Sequence, residues 1–217
     1  MAAERRRLQA QARRLPAASP RVAPRKVRII GGRYRRTPLP VLDAAGLRPT
    51  PDRVRETLFN WIAHLCPDLS ALRGLDLFAG TGALGLELAS RGAASVTLVE
   101  RAPAQLAQLR RVRDRLGAAN VEVIGGDALA VARRLPARSF DLVFVDPPFD
   151  AGLHAAALDA LRPLLADDAL VYVESAAPLD QVAAAAGLAP LRALKAGQVH
   201  ACLYRRADTD LPAGADR

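Results

Sequence analysis

Aromatic residues, cysteine and lysine are all scarce in this 217-residue chain, and each shortage narrows what the protein can be. Phenylalanine, tyrosine and tryptophan together make up 4% of the sequence. Each one is therefore worth locating. Cys66 and Cys202 stand alone, with no Cys-x-x-Cys pair and only three scattered histidines. That pattern supports neither a zinc site, an iron–sulfur site nor a disulfide framework, so no metal is expected. Two reduced cysteines suit a cytoplasmic enzyme. No apolar run approaches the roughly 20 residues that span a bilayer, so no membrane association is expected. Met1–Arg14 carries charge without a following apolar segment and does not read as a secretory signal.

Lysine occurs only at Lys26 and Lys195. Acidic residues are missing chiefly from one end. Residues 1–55 hold 15 Lys+Arg against 3 Asp+Glu, a balance of +12, whereas the rest hold 16 against 19, a balance of −3. A GC-rich genome explains arginine in place of lysine. It does not explain the one-sided placement. A basic arm on a nearly neutral body points to a polyanionic partner.

The length suits one α/β domain with a small extension. Residues 1–24, rich in Arg, Ala and Pro, read as a disordered basic tail. Residues 25–66 read as an N-terminal hairpin and helix, 67–207 as the main domain and 208–217 as a flexible tail. Val27–Ile30 and Tyr34–Leu39 predict a small arginine-studded hairpin turning at Gly31-Gly32. Thr50 reads as the cap of a helix that starts at Pro51 and runs to about His64. Val54, Leu58, Trp61 and Ile62 line one face of it.

From residue 72 strands and helices alternate. Strands are expected at Gly74–Phe78, Ser95–Glu100, Val121–Ile124, Leu142–Asp146, Leu170–Glu174, Ala189–Lys195 and Val199–Arg205. Helices are expected at Ala83–Arg91, Pro103–Leu116, Ala128–Leu135, Gly152–Leu161 and Leu179–Ala186. This pattern predicts a Rossmann-like, seven-stranded, mostly parallel sheet with an antiparallel edge hairpin.

Gly80-x-Gly82-x-x-Gly85 follows the first strand of that sheet. Glycines let a backbone turn tightly and approach a ligand without a Cβ in the way. Glu100 ends the next strand, where a carboxylate can take both ribose hydroxyls of an adenosine. A dinucleotide enzyme would share these features. Asp76 before the loop and Asp127 after the third strand argue otherwise. A carboxylate is unhelpful beside a pyrophosphate and sensible beside a sulfonium and an amino group. The reading is S-adenosylmethionine. Asp76 and Asp127 could each also serve only as helix caps.

Asp146-Pro147-Pro148-Phe149 ends the apolar run Leu142–Val145. An amine whose lone pair is delocalised into a base must be held in line with the methyl group. Asp146 can accept one of its hydrogens. The two prolines stiffen the loop, and Phe149 offers a stacking face. The lack of a nearby cysteine argues against a cytosine-C5 methyltransferase, which needs a thiolate.

These motifs sit within a wider resemblance. Arg28-Ile29-Ile30-Gly31-Gly32, Leu47-Arg48-Pro49-Thr50, Asp52 through Trp61, Asp76 through Gly85, and Val143 through Phe149 are similar to the bacterial RsmD family. Val173-Glu174 and Gly197-Gln198-Val199 also match. The glycine loop is shared by many methyltransferases; the Arg-Pro-Thr and Arg-Val-Arg-Glu-Thr-Leu-Phe-Asn segments are far more specific. The resemblance spans roughly Val27 to Arg205. It implies a class I S-adenosylmethionine-dependent methyltransferase fold plus the small N-terminal β-hairpin. It implies methylation of the N2 amine of a guanine, position 966 of 16S ribosomal RNA, within a partly or fully assembled 30S subunit, by a monomer. S-adenosylmethionine would be held by Asp76, Phe78, Ala79, Gly80, Thr81, Gly82, Gly85, Glu100, Arg101, Asp127 and Ala128, and released as S-adenosylhomocysteine. Asp146, Pro147, Pro148 and Phe149 would form the transfer loop. Arg28, Arg33, Arg35, Arg36, Arg48, Thr50 and Arg53 would contact RNA. Arginines on a hairpin can hold phosphates without reading sequence. Tyr34 could stack on a base or pack. Phe59, Trp61 and Tyr204 read as packing residues, and Asn60 could face the pocket.

Two other classes remain open on the residues alone. A DNA adenine or protein glutamine amino methyltransferase uses a similar loop. A non-catalytic RNA-binding module would keep the fold and lose the chemistry.

Overall fold

A computed structural model describes residues 27–42, 50–148 and 152–207. The expectations for 1–24 and 208–217, and for Arg48 and Phe149, lie outside the described residues. Elements run in the order β1 (Val27–Arg28), β2 (Pro38–Leu39), α1 (Asp52–Leu65), β3 (Arg73–Asp76), α2 (Gly85–Ser90), β4 (Ser95–Glu100), α3 (Pro103–Leu116), β5 (Val121–Gly125), α4 (Ala128–Ala132), β6 (Phe140–Val145), α5 (His154–Leu161), β7 (Leu165–Ser175), α6 (Asp180–Ala185), β8 (Leu188–Ala196) and β9 (Val199–Arg206).

Strands β3 to β9 form one seven-stranded sheet in the order β5-β4-β3-β6-β7-β9-β8. β3, β4, β5, β6 and β7 are mutually parallel, and β9 runs antiparallel to both β7 and β8. The chain leaves β3 toward one edge and β6 toward the other, so the loops after these two strands diverge. Such a switch point at the carboxyl ends of parallel strands is where open α/β sheets bind ligands.

The sheet is buried on both faces, as the runs Leu75–Leu77 and Leu142–Val145 require. Leu142, Phe144, Leu170 and Tyr172 pack on one side with α1, α2, α3 and the N-terminal hairpin. Leu75, Leu77, Val143, Val145, Val171 and Val173 pack on the other with α4, α5 and α6. Alternate residues of a strand point to opposite faces.

Most expected elements are present, and the departures have local causes. β7 begins at Leu165 rather than Leu170, because the polar Ala166-Asp167-Asp168 stretch continues the strand. Asp167 is matched there by Arg138 and Arg206. α4 stops at Ala132, three residues before Leu135; Pro136 disfavours helix just ahead of it. The hairpin strands pair over two residues each, Val27 with Leu39 and Arg28 with Pro38. Between them lies a wide loop rather than a tight turn at Gly31-Gly32.

That loop is docked, not free. Glu87 on α2 is fully buried. Its two oxygens accept the N–H groups of Ile30 (2.5 Å) and Gly31 (2.8 Å), and Arg91 Nε adds a third bond at 2.7 Å. Ser90 closes the contact: its carbonyl accepts from Arg33 N–H at 2.7 Å and its hydroxyl accepts from Tyr34 N–H at 2.8 Å. Gly32 has φ +72°, and a Cβ there would lie 1.9 Å from the Ser90 carbonyl oxygen. No side chain fits. Tyr34 is buried in the core and is not offered for base stacking.

Candidate active site

Parallel register assembles the site. Asp76 is level with Phe144 on β6, and Phe144 with Tyr172 on β7. Val145 pairs with Val173, so Asp146 and Glu174 follow side by side. Asp76, Asp146 and Glu174 therefore share the sheet face covered by α1, at the ends of three adjacent strands.

On the β3–β5 side, the loops are tied to one another by backbone. Leu77 N–H donates to the Phe144 carbonyl (3.1 Å), Ala79 N–H to that of Val99 (2.9 Å) and Gly126 N–H to that of Glu100 (3.0 Å). Asp76 is buried, and its Oδ2 accepts from Gly85 N–H at the start of α2 at 2.9 Å. Burial raises its carboxyl to about 7, and Glu100 and Glu174 add to the rise against the bonds from Gly85 and Phe78. Glu100 holds Gly80 N–H with Oε2 (2.9 Å) and Ala102 N–H with Oε1 (2.7 Å). Each oxygen keeps a lone pair for a further donor. Asp127 is exposed and caps α4 by accepting from Ala130 N–H at 3.0 Å. Ala79 and Ala128 are buried; Phe78, Gly80 and Thr81 are partly exposed, and Arg101 is exposed.

The glycines serve differently from one another. Gly80 and Gly82 have positive φ, which makes the turn. A Cβ on Gly82 would run into Leu109 and Leu86, and one on Gly85 into Leu98. Gly82 and Gly85 therefore have no room for a side chain against the surrounding protein.

On the β6–β7 side, the anchors are side chains. Pro147 is buried and Pro148 exposed. The expected helix cap at Thr50 is not made: α1 begins after Pro51 with no side-chain cap. Thr50 is buried instead, where it offsets part of the rise that burial imposes on the carboxyls of Asp146 and Glu174. Tyr172 Oη donates to Glu174 Oε1 at 2.8 Å. His154 Nε2 lies 2.8 Å from the Glu174 carbonyl oxygen and, as donor to a carbonyl, carries the hydrogen. Part of Asp146 reaches solvent, yet its carboxyl group is crowded by protein. Burial holds it well above the ordinary carboxylate range, and Glu174 and Asp76 push it further. Burial also raises Glu174, against bonds from Thr50 and Tyr172 and the charge of Arg55.

Arg55 is fully buried. Its Nη1 donates to the Arg28 carbonyl (2.9 Å) and its Nη2 to Asp52 Oδ1 (2.7 Å), and Nη1 lies 4.0 Å from Glu87. Its Nε has no hydrogen-bond partner among the described residues. Arg28, Arg33, Arg35, Arg36 and Arg53 are exposed, and Asn60 faces solvent rather than the site. Thr50, expected among the RNA contacts, is turned inward.

Glu174, Tyr172 and His154 had been given no role. The sequence signal for Glu174 was present: a carboxylate closing an apolar strand, one position beyond the residue paired with Val145.

The family described as Conserved hypothetical protein 95 matches residues 27–205. Ribosomal RNA small subunit methyltransferase D of Escherichia coli is 44% identical over 183 residues, covering 83% of this chain and 90% of its own. The chain belongs to that family. The counterpart from Haemophilus influenzae is 42% identical over 155 residues, covering 69% of this chain and 79% of its own. A putative methyltransferase of Escherichia coli of known structure superimposes with a TM-score of 0.70 at 43% identity, over 84% of this chain and 98% of that one. The sheet with its antiparallel edge and N-terminal hairpin is the class I methyltransferase fold.

Proposed function

We propose that this protein transfers the methyl group of S-adenosylmethionine to the exocyclic N2 amine of a guanine, position 966, in 16S ribosomal RNA of the assembling 30S subunit. One observation carries the reading. The strand register sets Asp146-Pro147-Pro148 directly beside the Asp76–Gly85 loop, so a transfer loop and a cofactor loop share one edge of the sheet.

The residues fit the cofactor. Asp76, Asp146 and Glu174 crowd together with Arg55 as a cation acting on Glu174, and burial works against their ionisation. Such a site favours a cationic ligand. Glu100 retains acceptor capacity for ribose hydroxyls, and Asp127 and Ala128 border the place for an adenine. When bound, S-adenosylmethionine supplies a methyl group on a positively charged sulfur. The chain supplies the rest. Asp146 accepts an N–H of the target amine and helps the nitrogen leave planarity. Pro147 and Pro148 stiffen the turn that presents it.

RNA is held by the basic surface. Arg33, Arg35 and Arg36 project from a loop bolted to α2, and Arg28 and Arg53 are exposed on the same N-terminal part of the chain. A rigid platform of this kind positions phosphates without reading bases. Neutralising Arg33, Arg35 and Arg36 together should weaken RNA binding and reduce its log–log salt slope by about 2.

The test is methyl transfer from labelled S-adenosylmethionine to unmethylated 30S particles, naked 16S RNA and duplex DNA, followed by nucleoside mass spectrometry. N2-methylguanosine from 30S particles is the expected product. Product on DNA, or label in protein alone, would overturn the substrate assignment while leaving the fold intact.

A further inference from the structure

Arginines on one side of the sheet are unevenly employed. Residues 27–42 hold Arg28, Arg33, Arg35 and Arg36 and no acid, and α3 holds Arg110, Arg111, Arg113 and Arg115 against Asp114 alone. Two of these eight face a carboxylate. Arg28 Nε lies 3.4 Å from Asp52, and Arg113 donates to Asp114 through Nε (2.8 Å) and Nη2 (2.7 Å). Arg110 and Arg111 are exposed, with no hydrogen bond or ion pair among the described residues.

The hairpin and α3 are joined. Arg115 Nη2 donates to the Pro38 carbonyl of β2 at 3.3 Å. Pro38 lies two residues beyond Arg36 and pairs with Arg28 on β1. A carbonyl takes a hydrogen from Arg115 without cancelling its charge. The exposed arginines of the loop and of α3 therefore meet across that contact.

Helix geometry arranges the α3 part. Gln105, Leu109 and Val112 mark its buried face. Arg111 and Arg115 are four residues apart, hence neighbours on the helix surface about 6 Å apart along its axis. Both lie on the flank turned to the hairpin, as the Arg115 bond requires. Like charges at this spacing work against a helix. Arg113 and Arg115 stand in the last turn, where a cation suits the negative end of the helix; Arg110 and Arg111 stand before it.

The other side of the sheet is different. Helices α4, α5 and α6 carry no arginine or lysine, and their charged residues are Asp159 and Asp180. Charge is thus polarised across the sheet, and a polyanion fits the α3 side. Phosphate fits it better than a stacked base. Among the described residues of the hairpin and α3 the only aromatic is Tyr34, which is buried.

We propose that α3 is the second half of the RNA-docking face: Arg111 and Arg115, with Arg110 beside them, hold backbone phosphates of the RNA that the hairpin also grips. The proposal rests on the reading of RNA as the substrate. The contact fixes position, not sequence. α3 begins directly after Ala102, whose N–H is held by Glu100. The helix that grips RNA is therefore tied at its start to the cofactor loops.

The test is equilibrium binding to naked 16S RNA and to unmethylated 30S particles over a salt series, with methyl-transfer kinetics alongside. Arg110→Gln/Arg111→Gln alters two exposed side chains that bond to nothing described in the fold, so Tm should hold within about 2 °C. Its log–log salt slope should fall by about 1.5 on RNA and particles alike. KM should rise while kcat and cofactor affinity stay at wild-type values. Arg110→Lys/Arg111→Lys keeps the charge and should keep the slope. Arg133→Gln/Arg134→Gln removes the same charge from two exposed positions after α4, on the opposite side, and should leave the slope unchanged. An unmoved slope in Arg110→Gln/Arg111→Gln, or an equal fall in Arg133→Gln/Arg134→Gln, overturns the proposal. So does a fall confined to 30S particles, which would put a ribosomal protein rather than RNA on α3. Wild type that neither binds RNA nor makes N2-methylguanosine would sink the substrate reading itself; wild type that does both, beside an unmoved variant, sinks the role of α3 alone.

Discussion

Carboxylates in the two halves of the site are anchored in opposite ways. Asp76, Glu100 and Asp127 take hydrogen bonds from backbone N–H groups: Asp76 from Gly85 and Asp127 from Ala130 within their own loops, and Glu100 from Ala102 beside it and from Gly80 in the neighbouring glycine loop. Thr50, from a distant stretch of chain, offsets part of the rise in the Asp146 and Glu174 carboxyls, and Glu87 accepts from the equally distant Ile30 and Gly31 N–H groups. Asp76 and Asp127 are held within single strand–loop–helix units, and Glu100 joins two neighbouring ones through backbone N–H groups. The N-terminal hairpin loop takes its place only by docking on Glu87 and Ser90 of α2.

The sharpest way to break this contrast is at Asp146. Asp146→Ala should cut single-turnover methyl transfer by about 10²–10⁴-fold, with cofactor affinity by calorimetry changed less than about threefold. Loss of cofactor binding, or unfolding, would make Asp146 a structural member of the other half. The next largest effect belongs to Glu87. Glu87→Ala strips acceptors from two N–H groups and leaves Arg91 and the buried Arg55 undercompensated. Breaking a buried ion pair costs about 3–5 kcal/mol, read by urea denaturation. Hydrogen exchange should quicken first at Ile30, Gly31 and Arg33. Uniform exchange across the sheet would mean that the hairpin and the main domain do not separate.

The same contrast explains what the sequence revealed. The places of the glycine loop, Glu100, Asp127 and Asp146 at strand ends were legible because glycines and polar residues punctuate the apolar runs there. Thr50 was misread because Thr-Pro-Asp is also how a helix starts, and only the fold shows it buried with no cap made. Glu87 carried no signal at all; a lone glutamate in a helix ordinarily faces water. Gly32 was legible as a turn, but its true constraint is the Ser90 carbonyl. The start of β7 was hidden because Asp167 and Asp168 are polar, and their suitability for a strand depends on Arg138 and Arg206 across the surface.

Asp76 tests the local half through pH. Its carboxyl is raised from 3.8 to about 7 in the folded protein. The folded state therefore binds the proton more tightly than the unfolded chain, and its contribution is favourable below pH 3.8 and is lost progressively as pH rises toward 7. Over that window the ligand-free protein should lose at most about 4 kcal/mol through this group. Asp76→Asn keeps an acceptor for Gly85 N–H and should flatten the slope in a denaturation series from pH 4 to 8. An unchanged slope would place the pH dependence in the Asp146–Glu174 pair.

The smallest expected effect is at Asp127, and it decides whether a local anchor is only an anchor. Asp127→Ala removes the bond to Ala130 N–H from a five-residue helix. Loss of an N-cap costs about 1 kcal/mol, a fall of about 2–4 °C in Tm for a chain of this size. If cofactor affinity stays put while Tm falls, Asp127 is a cap and nothing more. If affinity drops about tenfold at the same cost in stability, the capping carboxylate also touches the cofactor. The local cassette then does two jobs with one side chain, because an exposed cap needs just one of its oxygens for the helix.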